Sequence, residues 1–106
     1  MATTDRSAPQ NASELTAFQR DLLFIIADVG PEKGLGIKDE IAEYYAKEIN
    51  HGRLYPNLNT LVEMGLVEKG SIDRRTNSYE LTTRGTQLLT DRLEWQANQF
   101  DVDREV

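Results

Sequence analysis

Residues 51–66, "HGRLYPNLNTLVEMGL", set Arg53, Asn57, Asn59 and Thr60 against Leu54, Leu58, Leu61, Val62 and Leu66 at helical spacing. If the leucines are buried, the polar residues are held outside at fixed separations, and their chemistry suits base edges and phosphates. Arginine can grip guanine O6 and N7 with two N–H groups, asparagine can do the same with adenine, and threonine offers a hydroxyl and a methyl. Asn50, His51 and Gly52 stand at the amino end of this segment, where free backbone N–H groups favour a phosphate and Gly52 permits close approach. Tyr55 falls beside the leucine face, with its hydroxyl expected at the margin. Arg74 and Arg75, the only adjacent basic residues of the chain, suit a minor groove or its flanking phosphates. The plainer reading makes the arginines solvated turn residues and the asparagines ordinary helix surface, a use for which Glu, Lys or Gln are better helix formers.

Other chemistries find little support. The chain has no cysteine and one histidine, His51, which excludes disulfides, thiolate zinc sites and a cysteine nucleophile, and leaves that histidine without a second soft ligand. Asp39, Glu40 and Glu43 read as a solvated helix face. Gly34-x-Gly36 lacks the preceding strand, third glycine or Gly-Lys-Ser/Thr of a nucleotide loop. No enzyme, metal or cofactor is expected. The longest apolar run, Leu22 to Ala27, is far short of a membrane span, and no apolar signal segment opens the chain, so a cytoplasmic location is expected.

The elements that must hold the polar face follow from periodicity. Asn11 with Glu14 resembles a capping box, after which Leu15, Phe18, Leu22, Ile25, Ile26 and Val29 predict a helix with more apolar surface than one packing face needs. Gly30-Pro31 ends it and "GPEKGLG" makes a turn. "IKDEIAEYYAKE" predicts a second helix with Ile37, Ile41, Tyr44 and Tyr45 inward. Asn50 caps the third helix, Gly65 ends it, and Pro56 predicts a bend or an irregular first turn. "LVEKGSI" and "NSYELT" alternate as a hairpin with "DRRT" at its tip. Thr82 caps a last helix with Leu89, Leu93, Ala97 and Phe100 on one stripe, and Leu88 and Trp95 beside it.

This order is that of a winged helix-turn-helix, an α+β and mostly α fold. "GRLYPNLNTLVEMGLVEKG" and "SYELTTRGTQLL" resemble the PadR family of transcriptional regulators, through Gly52, Leu54, Tyr55, Pro56, Leu58, Leu61, Gly65, Leu66, Val67, Tyr79, Leu81, Thr82 and Gly85. Polar, small and Pro-containing residues at the start and the charged "DVDREV" at the end predict flexible tails over 1–12 and 101–106, around a DNA-binding domain over 13–82 and a C-terminal dimerisation helix over 83–100. The resemblance implies a regulator that reads promoter double-stranded DNA, with the wing as second contact; the surplus apolar surface on the first and last helices predicts a homodimer on a pseudo-palindromic site, with room for a small-molecule effector. Leu15, Phe18, Leu22, Leu93, Trp95 and Phe100 are the expected dimer face. A winged helix serving protein contact alone is the competing reading.

The net charge of -6 is unusual for such a role. Residues 50–84 carry five basic and four acidic side chains, so the acid lies elsewhere. Eight arginines to four lysines with this acid excess resemble haloarchaeal members of the family, which implies a halophile and a stress response, oxidative stress among them. At high salt the acidic surface is screened within about 3 Å.

Overall fold

A computed structural model describes residues 8–100 of the chain. Four helices and three strands follow in the order α1 (Ala17–Val29), β1 (Glu32–Lys33), α2 (Gly34–Tyr45), α3 (His51–Glu63), β2 (Val67–Asp73), β3 (Thr76–Leu81) and α4 (Thr83–Gln99). The antiparallel sheet runs β1-β3-β2, so the hairpin gains a third short strand that the sequence reading took for a turn. Two residues without alternation carry no strand signal of their own. Their pairing of Glu32 with Tyr79 and Lys33 with Ser78 is a tertiary event.

The start of α1 also differs from expectation. Asn11 caps a single 3-10 turn, Ala12–Glu14, and the helix proper opens at Thr16. There the Thr16 hydroxyl accepts from the Gln19 backbone N–H at 3.1 Å, and the Gln19 carboxamide oxygen accepts from the Thr16 N–H at 3.0 Å. The tail expected through residue 12 is therefore anchored by Asn11. Ala12 is buried, and the Arg20 guanidinium donates to the carbonyls of Ala12 and Leu15 at 3.1 and 2.8 Å. Residues 1–7 and the expected tail 101–106 lie outside the described residues.

The core joins all four helices to the sheet: Phe18, Leu22, Leu23 and Ile26 from α1, Ile37 and Ile41 from α2, Leu54, Leu58 and Leu61 from α3, Val67 and Tyr79 from the wing, and Leu88 and Leu89 from α4. Each such aliphatic side chain contributes about 1.5–3 kcal/mol by leaving water. Tyr44, predicted inward, is 74% exposed, because Ile37 and Ile41 fill the inner line of α2 and Tyr45 takes the neighbouring direction. Ile49, the one large apolar residue in the connection between α2 and α3, is fully buried. The front of α4 packs into the core through Gly85, Leu88 and Leu89, while its far end leaves Leu93 and Trp95 exposed.

Leu15, Phe18 and Leu22, expected at a dimer face, are filled into the core of the single chain, at 4%, 5% and 0% exposure. They have no surface left to offer a partner. α1 is central, touched by α2, α3, α4 and β3, so its inner stripe is consumed, while Phe24 and Ile25 stay half-buried and Ala27 is exposed.

Candidate nucleic-acid interface

α3 begins as expected. The Asn50 carboxamide oxygen accepts from the Arg53 N–H at 2.8 Å, satisfying one of the donors a helix start leaves free. The helix then runs unbroken past Pro56 to Glu63. Its end is a Schellman arrangement, with Gly65 N–H donating to Val62 O at 3.0 Å and Leu66 N–H to Leu61 O at 3.1 Å. Gly65 takes φ 77°, which explains a glycine where the chain turns into β2.

With Leu54, Leu58 and Leu61 buried, the remaining residues of α3 sort into an outer line and two edges. Gly52, Pro56 and Asn59 are exposed on the outer line. A Cβ on Gly52 would meet only Asn50 Oδ1, at 3.3 Å, so this part of the helix is open to close approach.

One edge faces α1. The Arg53 guanidinium lies 3.9 Å from the centre of the Phe18 ring and 5.8 Å from that of Tyr45. The two rings meet edge to face at 5.7 Å. The Tyr45 hydroxyl donates to Asp21 at 2.8 Å; burial first, and then this bond to a carboxylate, hold its phenol above the ordinary tyrosine range. One turn along, the Gln19 side-chain N–H donates to Asn57 Oδ1 at 3.0 Å, and Asn57 Nδ2 donates to the Arg53 carbonyl at 2.8 Å. The Thr60 hydroxyl turns back onto the Pro56 carbonyl at 3.0 Å.

The other edge carries His51 and Tyr55, whose rings stand 5.5 Å apart. Tyr55 packs onto the start of α2, where a Cβ on Gly34 would come within 2.5 Å of its hydroxyl oxygen. The Gly34-x-Gly36 pair, which lacks the marks of a nucleotide loop, thus includes a glycine that gives this tyrosine room.

At the wing, Asp73 pairs with Thr76 across a tip formed by Arg74 and Arg75, with an irregularity in register around Ile72. The Asp73 carboxylate accepts from the Arg75 N–H at 2.8 Å, and that bond holds its pKa below the usual carboxylate range. Arg74 and Arg75 are both exposed.

The wing reaches α3. A cleft of about 310 Å³ is lined by Lys33, Tyr55, Arg75 and Asn77 among others, so a wing-tip arginine and a tyrosine of α3 share one surface with a lysine of β1. The sequence reading left Lys33 inside a turn, with no contact assigned to it. Only the pairing of β1 with β3 carries it there, and no periodicity announces that pairing. Of the expected dimer residues, Leu93, Trp95 and Phe100 are exposed at 52%, 53% and 70% and line a shallow groove at the end of α4. Among the described residues no cluster of His, Asp and Glu could hold a metal ion, and no helix is long and apolar enough to cross a membrane.

Known proteins place this arrangement. The model of the transcriptional regulator PadR-like family matches residues 22–91. The structure of H. salinarum RosR grown from NaBr matches with a TM-score of 0.82 at 49% identity, over 89% of this chain and 84% of that one. The complex structure of hsRosR-S1 matches with a TM-score of 0.82 at 50% identity, over 87% and 81% of the two chains. A crystal structure of MarR is more distant, with 25% identity and a TM-score of 0.61 over 85% of this chain and 66% of that one. No curated protein matches significantly. With two thirds of its length inside the family match and half of its aligned residues identical to those of a solved relative, the chain belongs to the PadR-like family of transcriptional regulators.

Proposed function

We propose that the protein is a DNA-binding transcriptional regulator that reads a pseudo-palindromic promoter site as a homodimer, in the cytoplasm of a halophile. The observation that carries this reading is the shared surface of α3 and the wing: an outer helix line of Gly52, Pro56 and Asn59, flanked by Arg53, lies on the same helix as Tyr55, which meets Arg75 and Lys33 in one cleft. Arg53, Asn59 and Thr60 face the base edges, with Asn57 at the margin. The exposed N-terminus of α3 at Asn50, His51 and Gly52 takes a phosphate, and Arg74, Arg75 and Lys33 take others. Leu93, Trp95 and Phe100 meet their counterparts across a two-fold axis, which sets two recognition helices about one DNA turn apart.

A stress role, if it is oxidative, has to be sensed without cysteine; Met64, half-buried after α3, and Met1 are the only sulfurs.

Fluorescence anisotropy with a duplex from the protein's own promoter and a scrambled duplex, in about 0.2 and 2 M potassium chloride, tests the reading. Promoter preference in the wild type, lost in Arg53→Ala, is the expected result. Equal weak binding to both duplexes by the folded protein would refute it and favour a winged helix used for protein contact. With most of the acid outside the interface, affinity is expected to fall less with salt than the slope of about -0.9 per neutralised phosphate allows.

A further inference from the structure

Gln19 is the one buried polar side chain among the described residues, at 9% exposure. A buried amide is costly unless its groups are paired, and those of Gln19 are paired in two directions. Its oxygen closes the cap of α1 on the Thr16 N–H, and its nitrogen reaches across to Asn57 of α3, 38 residues away in sequence. Asn57 in turn holds the Arg53 carbonyl. The neighbouring residue of α1, Phe18, supports the Arg53 guanidinium. Two consecutive residues of α1 therefore grip α3 at positions 53 and 57, one helical turn apart on one edge.

The buried leucines alone do not set the roll of α3. An apolar stripe is non-directional, and a helix turns about 100° per residue, so a small roll about the leucine line moves every outer side chain sideways relative to a groove. A hydrogen bond between two amides is directional, and Tyr55 wedged against Gly34 blocks the opposite edge.

We infer that Gln19 is a positioning residue for sequence reading: through Asn57 it fixes the roll of the recognition helix, so that specificity depends on a residue of α1. The inference rests on the DNA-reading function proposed above. It gives Asn57 the role of a tie between helices, with its oxygen and one N–H already engaged.

The test is the promoter-to-scrambled affinity ratio in Gln19→Glu, which keeps the acceptor for Thr16 and removes the donor to Asn57. Asn57→Ala, which removes the oxygen that accepts from Gln19, and the double variant complete a cycle, with circular dichroism confirming folding at the assay temperature. The ratio is expected to fall about five- to tenfold, about the effect of one lost hydrogen bond, with the salt slope unchanged because phosphate contacts are untouched. The double variant is expected to fall no further than Asn57→Ala alone, since each single variant already cuts the Gln19–Asn57 bond. A wild-type ratio kept by a folded Gln19→Glu would overturn the positioning role, as would additive losses in the cycle. A wild type without promoter preference would overturn the DNA-reading function itself, so the two failures are distinct.

Discussion

The recognition helix and the wing are held by different physics. α3 is fixed by residues far away in the chain: leucines in a shared core, Phe18 and Gln19 on one edge, the start of α2 against Tyr55 on the other. The wing tip is held by its own neighbours, a two-stranded ladder and the Asp73 carboxylate on the Arg75 N–H. A side chain that must meet one base edge has to be placed to within a fraction of an ångström, and only tertiary contacts do that. A side chain that supplies charge to a phosphate needs only reach, so a locally braced hairpin suffices.

Perturbations that break this contrast differ in size. Leu58→Ala, at a fully buried position, is expected to cost about 2–5 kcal/mol in urea unfolding, and to abolish specific binding only as far as it unfolds the domain. Gly34→Ala presses on the Tyr55 edge, with a Cβ 2.5–2.9 Å from the tyrosine ring atoms and hydroxyl. It is expected to cost about 1–3 kcal/mol and to change the promoter-to-scrambled ratio as well as stability. Replacing both Arg74 and Arg75 by alanine should leave unfolding within about 0.5 kcal/mol of wild type. In anisotropy it should weaken both duplexes alike and reduce the salt slope by about two. Unequal loss on the two duplexes would mean that the wing reads sequence, and the contrast with α3 would fail.

The smallest effect is confined to the wing tip. The Asp73 carboxyl is held below its ordinary value of 3.8, so whatever it adds to the turn is present above that pH and is lost as pH falls through the lower folded value. The Arg75 amide resonance in an NMR titration should therefore shift with a midpoint under 3.8, with the resonances of α3 unmoved over the same step.

Much of this was legible beforehand. Helical spacing in Leu54, Leu58 and Leu61, the Asn50 cap, Gly65 at the helix end and the alternation around Tyr79 and Leu81 are local signals, and the structure carries each of them. The misreadings share a cause. Leu15, Phe18 and Leu22 were assigned to a partner because a stripe shows that a face is buried, without showing what buries it. Lys33 and β1 were missed because a two-residue strand is defined by its partner.

The chain's own pattern, then, determined which residues form α3 and the wing, since capping, turn geometry and apolar period act over a few residues. Only the tertiary structure decided how α3 is rolled and which residues stand beside it. The contacts responsible, Gln19 with Asn57, Arg53 over Phe18 and Tyr55 against Gly34, join residues roughly 20 to 40 positions apart, where no local spacing rule reaches.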